Sequence, residues 1–307
     1  MRMSCWGPTI EGGDLNVGTA AQEDPMVTSH NVDAPLDQLI ARAREKGLQA
    51  PHKPTETLSS AASGTRIPAG QRPHSVAVSP DGMHLYTTNF ATGTVSVIDL
   101  EAMAVVDTID AVEGPYGVAA NPNGHRLYVA SPGAKRLVRI DLSTGHETYY
   151  SLGRAPYGVA MSPGGGRIYW TLALEDSVLV TDPLFVEDTE IRDISFPTGV
   201  AVAPDESLLY VTNYFAGKVS VVDLDRERVT ATLPVGPHPY GAALSHQGDR
   251  LYVAHFGSDL VSLIDTAKLT VIDTIPATSP RGIAVNHDGT RLYVTNFFAD
   301  SVTVIEL

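Results

Sequence analysis

The chain has 307 residues, 43% of them hydrophobic and 18% charged, and a formal net charge of −14 at pH 7. That length and composition suit a soluble globular protein with a large core, and the acidic balance speaks against nucleic acid or an anionic membrane surface, which select clustered Lys and Arg. Cys5 is the single cysteine, so an internal disulfide and a cysteine-based metal knuckle are excluded.

The residues after Met1 lack the apolar stretch of a secretory signal, and no run reaches the 18 apolar residues of a membrane span, so a cytoplasmic location is expected. Residues 1–60 are rich in Gly, Asp, Glu, Pro and Thr and carry no repeat. Within them Leu36, Leu39, Ile40 and Ala43 recur at helical spacing, between a potential cap at Asp33 and a stop at Gly47; a short helix over about 35–46 is predicted.

From residue 61 to 307 one pattern recurs six times, anchored at Pro73, Pro115, Pro156, Pro197, Pro239 and Pro280, at intervals of 41 or 42 residues. Two positions on stands Gly117, Gly158, Gly199, Gly241 or Gly282, with Ser75 in the first repeat. A short apolar strand such as Val200-Ala201-Val202 follows and closes in a Pro-Asp, Pro-Asn or His-Asp turn. Tyr86, Tyr128, Tyr169, Tyr210, Tyr252 and Tyr293 fall 13 residues after their prolines, inside a second strand rich in β-branched and aromatic residues. A third strand ends at Asp99, Asp141, Asp182, Asp223, Asp265 or Glu306, and a weaker fourth reads like Ala231 to Gly236, with a proline that suits an outer edge. A period near 40 residues with four short strands per unit predicts an all-β, six-bladed β-propeller of four-stranded antiparallel blades. The last repeat lacks its fourth strand, whereas Gly64 to Gly70 has the register of one. This N-terminal segment is therefore expected to complete the last blade and lock the ring.

Through Leu209-Tyr-Val-Thr-Asn213 and Leu292-Tyr-Val-Thr-Asn296, residues 64 to 307 resemble the YVTN (YncE-like) β-propeller repeat proteins. The wider superfamily implied by this resemblance includes lactonases, streptogramin-type lyases, cofactor-linked dehydrogenase subunits and surface proteins. Many YVTN propellers close with seven blades, and the six repeats here depart from that number.

Propeller chemistry gathers where loops from all blades converge on the central channel. Immediately after the anchoring prolines stand His74, Tyr116, Tyr157, Thr198, Tyr240 and Arg281, preceded by Arg72, Gly114, Ala155, Phe196, His238 and Ser279, with Glu113 and Arg154 one step further back. Tyr116 is expected to face Tyr240 across the channel, with Arg281 beside His74. Aromatic walls, titratable histidines and guanidinium groups would form a small-molecule pocket for a ligand bearing a carboxylate, a phosphate or a polarised carbonyl. A second ring, at the end of the Y-V-T-N strands, reads Asn89, Ser131, Leu172, Asn213, His255 and Asn296; its three asparagines and His255 are candidate substrate contacts, although an Asn closing a strand commonly bonds its own loop. His255 replaces the amide chemistry of that ring and, with His238 and His74, would be the group to hold a divalent metal; no other cofactor is expected. In the atypical third blade Trp170 either stacks on a ligand or fills a gap. The N-terminal extension packs on the rim, covers one mouth as a lid, or provides a contact for self-association or a protein partner.

There is no G-x-S-x-G, H-E-x-x-H, G-x-x-x-x-G-K-[ST] or dinucleotide fingerprint, which leaves serine hydrolase, zincin, kinase and nicotinamide-dehydrogenase chemistry without support. Two functions fit. One is acid–base catalysis on a small polar or aromatic metabolite, with His74 or His238 as base, Tyr116, Tyr157 or Tyr240 as proton donor and Arg281 as charge partner; Arg72, Asn89, Glu113, Arg154, Trp170, Asn213, His255 and Asn296 would contact the substrate. Its rate would fall with an apparent pKa near 6 to 7, as for an unperturbed His. The other is a non-catalytic propeller that engages a protein.

Overall fold

The computed structural model describes residues 34–47 and 64–307. Five antiparallel sheets run from inner to outer strand as Pro73–Val78 to Ala104–Asp110, Val118–Ala120 to Glu147–Ser151, Val159–Met161 to Glu187–Ile191, Pro197–Val202 to Arg228–Pro234 and Pro239–Leu244 to Thr270–Pro276. The sixth runs from Pro280–Val285 to Ser301–Glu306 and takes Thr65–Pro68 as its outer strand. Each innermost strand packs on those of both neighbouring blades, so the chain is a six-bladed propeller. Thr65 pairs with Val304 and Pro68 with Ser301, and this N-terminal strand closes the ring as the repeat register requires.

The core is six layers between blades rather than one central mass. Along each second strand the pleat sends Leu and Val to one face and Tyr and Thr to the other. Thus Tyr210 of blade four packs on Leu251 and Val253 of blade five, and Tyr252 of blade five on Leu292 and Val294 of blade six. Trp170 takes the Val position of blade three. It is fully buried against Tyr128 of blade two and Phe185, and its Nε1 donates to Thr181 Oγ1 at 3.0 Å. Of the two roles open to it, this position in the wall between blades fits the gap filler.

The inner strands approach one another through their glycines. A Cβ placed on Gly117, Gly158, Gly199, Gly241 or Gly282 would lie under 3.0 Å from backbone atoms of the next blade. Glycine is required there for backbone proximity. The Thr of Y-V-T-N completes the joint. Thr212 Oγ1 accepts from Gly199 N–H at 2.7 Å and donates to the Tyr240 carbonyl of the next blade at 2.6 Å. Thr171 does the same between Gly158 and the Thr198 carbonyl, and Thr88 between Ser75 and the Tyr116 carbonyl. Blade two has Ala130 instead, and Gly117 N–H donates directly to the Tyr157 carbonyl at 2.9 Å.

The predicted helix forms as Ala34–Glu45. Gly47, at φ +69, lies just beyond it; the proposed cap Asp33 lies outside the described residues. No helix among the described residues is long and apolar enough to cross a membrane.

The joint makes a ranked prediction. Thr212→Val keeps the shape but leaves the buried Gly199 N–H unpaired and the Tyr240 carbonyl with only the longer Thr198 hydroxyl contact at 3.3 Å, and should cost about 1–3 kcal/mol in urea denaturation. Gly199→Ala should cost more, because its new Cβ meets backbone that cannot rotate away. An equal or smaller loss for Gly199→Ala would contradict the close-approach account.

Candidate functional site

The residue after each anchoring proline reaches the axis because the ladder skips there. In blade four Pro197 pairs with Asn213, yet the next pair is Val200 with Val211, and blades one, five and six repeat this bulge. A bulge frees two residues from the pleat and re-aims their side chains. The first of the pair turns inward while its carbonyl is held by the preceding blade. His74, Tyr116, Tyr157, Thr198, Tyr240 and Arg281 all occupy this position, and none is more than 6% exposed.

His74 is the hub. Its Nε2 lies 3.0 Å from the Tyr240 hydroxyl, and its ring lies over Tyr116 with centroids 3.8 Å apart. His74 therefore bridges the two tyrosines expected to face each other, and Tyr157 meets the edge of Tyr116 at 5.5 Å. Arg281 lies on aromatic faces, with its guanidinium carbon 3.5 Å from the Phe297 centroid, 4.1 Å from Phe256 and 5.4 Å from Tyr240.

Phe256 and Phe297, with Phe90 and Tyr214, form a ring that sequence reasoning missed. Each immediately follows the last residue of a second strand, at Asn89, Asn213, His255 or Asn296. The backbone N–H of each donates, at 3.1–3.2 Å, to the carbonyl of the residue before the anchoring proline. That residue is Arg72, Phe196, His238 or Ser279, all left-handed with φ between 43 and 53. An aromatic at this offset in four blades was the available signal.

The second ring turns away from the axis. Asn213 Nδ2 donates to the Ser195 carbonyl at 3.0 Å and Oδ1 accepts from Ser220 at 2.9 Å. Asn296, with its amide oriented to satisfy both ends, donates to the Thr278 carbonyl and accepts from Ser301 and Thr303. Asn89 reaches Thr94 and Ser96 of its own blade. His255 was expected to depart from this amide chemistry; instead it reproduces it. Its Nδ1 lies 2.9 Å from the Pro237 carbonyl and its Nε2 2.8 Å from the Ser262 hydroxyl. A carbonyl only accepts, so Nδ1 carries the proton and Nε2 accepts from Ser262. Both nitrogens are committed to holding the blade, which removes His255 from the metal set proposed with His74 and His238.

Among the remaining candidates, Glu113 is exposed at the rim and contributes its carbonyl to Ser131 Oγ at 2.6 Å. Arg154 pairs with Glu190 at 3.1 Å on blade three. His238 is half-buried against Tyr214, centroids 5.1 Å apart. Arg72 faces Phe297, with its guanidinium carbon 5.8 Å from the ring centroid.

The mouth is covered. Leu39 and Ala43 of the helix pack with Tyr116, Ala155, Tyr157 and Phe196, while Ile40 packs on the cluster of Tyr214, Tyr240, Phe256 and Phe297. Just beyond the helix, Lys46 pairs with Asp176 and sits over the Phe196 ring at 5.0 Å. Of the roles open to the extension, covering the channel mouth is the one this described helix occupies.

Water exclusion sets the protonation states. Burial, then the nearby Arg281 charge, hold His74 well below its ordinary 6.5. Burial pushes the Tyr157 and Tyr240 phenols well above 10, and Tyr214 to about 12. The centre thus holds a neutral imidazole, neutral phenols and one guanidinium. Among the described residues no group of three or more His, Cys, Asp or Glu is placed to hold a metal ion.

No protein-family model matches the chain, and no curated protein matches it in sequence. Solved structures do match in fold. Kuenenia stuttgartiensis hydrazine synthase aligns with a TM-score of 0.64 at 18% identity, over 82% of this chain and 99% of that one. The Cps50 (Swd1) β-propeller domain of Myceliophteria thermophila aligns with a TM-score of 0.57 at 13% identity, over 80% and 100%. At such identities the likeness is of fold.

A pH dependence follows from the buried imidazole. The unfolded chain takes up a proton at His74 near 6.5 while the native state resists it, so this stability is present above 6.5 and is lost as pH falls below it. His238 and His255 shift in the same direction. The thermal midpoint should therefore drop from pH 7.5 to 5, and His74→Gln should flatten that slope. An unchanged slope in His74→Gln would show that the imidazole protonates freely in the fold.

Proposed function

We propose that this propeller is an enzyme acting on a small molecule at the axis beneath the helix, by acid–base chemistry of the lactone-opening, elimination or ring-closing kind. The observation that carries the reading is the His74 Nε2 to Tyr240 hydroxyl contact at 3.0 Å, sealed from water beside Arg281. A neutral imidazole is ready to accept a proton at pH 7, and a phenol held neutral can supply one. Tyr116 and Tyr157 add hydrogen-bonding capacity around the same point, and Arg281 can stabilise developing negative charge. The Y-V-T-N repeats support this reading, since lactonases and lyases belong to the superfamily they resemble.

A second reading, a non-catalytic propeller that engages a protein partner, draws on one observation: Leu39 and Ala43 are buried against the residues at the mouth. Comparing small-molecule extracts by mass spectrometry, before and after incubation with the full chain, separates the two. Catalysis predicts metabolites consumed by the wild type and spared about 10²- to 10⁴-fold by His74→Gln or Tyr240→Phe. Its rate should fall on acidification with an apparent pKa below 6.5, lower than for a free imidazole. No consumed feature would favour the binding reading.

A further inference from the structure

Arg281 is 2% exposed, and among the described residues no hydrogen bond or ion pair reaches its guanidinium. Its Nε is buried without any acceptor. The Tyr240 and Tyr157 phenols stay protonated and His74 stays neutral, so none of these neighbours balances the charge. An isolated buried cation is costly, and stacking on aromatic faces offsets part of that cost while leaving the N–H groups without acceptors. Other arginines of the described chain show the usual solution, as where Glu190 receives both Arg154 and Arg192. Arg281 has rings around it, and its unsatisfied N–H edge is the complement of an oxyanion. The hydroxyl of Tyr214, in the same aromatic cluster, is likewise buried without a partner.

We infer that Arg281 anchors an oxyanion-binding site at the propeller axis, and that its ligand is a monocarboxylate on an apolar body. One guanidinium neutralises one negative charge, which favours a carboxylate over a dianionic phosphate. Phe256, Phe297 and Tyr240, over whose faces Arg281 itself lies, make the surroundings of that N–H edge apolar, which suits an anion carried on an apolar body. The inference rests on the catalytic reading only in locating the substrate, because the anion site exists whether or not chemistry follows.

The test is thermal unfolding of the full chain with sodium benzoate, acetate, phosphate or sulfate, at ionic strength fixed with chloride. Benzoate should raise the wild-type midpoint by about 3 °C at tenfold excess over its Kd, more than acetate or phosphate at the same concentration. Arg281→Met, which removes the unpaired charge while keeping an apolar stem, should unfold at the same or a higher temperature without anion and lose the benzoate response. Arg281→Lys should retain part of it. A wild-type midpoint indifferent to all four anions, or an Arg281→Met protein that responds like the wild type, would overturn the proposal. A phosphate response exceeding that of benzoate would overturn the carboxylate assignment. A benzoate response through Arg281 with no metabolite consumed leaves the site standing and removes the catalysis; His74-dependent turnover with no anion response does the reverse.

Discussion

The joint between neighbouring inner strands is the constraint from which the rest of this molecule follows. A glycine without a side chain lets two backbones meet, and a threonine hydroxyl accepts from one strand and donates to the next. The close approach recurs around the ring, with the threonine bridge in four of the six blades and Ala130 or Ala254 at its place in the other two, and it sets the diameter of the ring. It also fixes the residue ahead of each glycine. With its carbonyl held by the previous blade and the ladder bulged at that point, the residue must send its side chain inward, whatever its chemistry.

This geometry separates structural from variable positions inside one repeat. Pro, Gly, Tyr and Thr are dictated by turn, approach, interblade packing and bridging. The position between Pro and Gly carries no such demand, and it varies in both size and charge: His, Tyr, Tyr, Thr, Tyr and Arg. The scaffold therefore presents six independent side chains at one height on one axis. Unlike the Asn ring, whose amides close their own blades, this ring does little for its own blade through its side chains.

Blade number, strand order and ring closure were legible because each rests on a period, and a period survives substitution at any one position. The inward ring was legible for the same reason, since aligned repeats place Tyr116, Tyr240 and Arg281 at one offset. Three features were not. His255 looked like a departure because its residue type differs from Asn, yet imidazole places a donor and an acceptor toward the same two partners as the amide does. Trp170 could be read as a ligand platform or as a gap filler because it broke the pattern, and strand alternation sends that position into the wall between blades. The aromatic cradle of Arg281 lay one residue beyond the Asn at which the repeated motif was read. The Y-V-T-N likeness itself was a reading of the repeat alone, and the matches in fold support the propeller without supporting that family.

The helix matters to this chemistry through what it excludes. Propeller channels open to solvent at their mouths, and in bulk water a guanidinium and an imidazole a few ångströms apart would interact weakly, each titrating near its free value. Leu39, Ile40 and Ala43 remove that water over the aromatic layer, and the Lys46 pair with Asp176 ties the end of the helix to blade three. Burial, the largest influence on His74, is thus partly supplied by a segment outside the repeats. The ring brings the six side chains together; the helix gives them the low-dielectric setting in which a neutral base coexists with a cation that has no ion pair among the described residues.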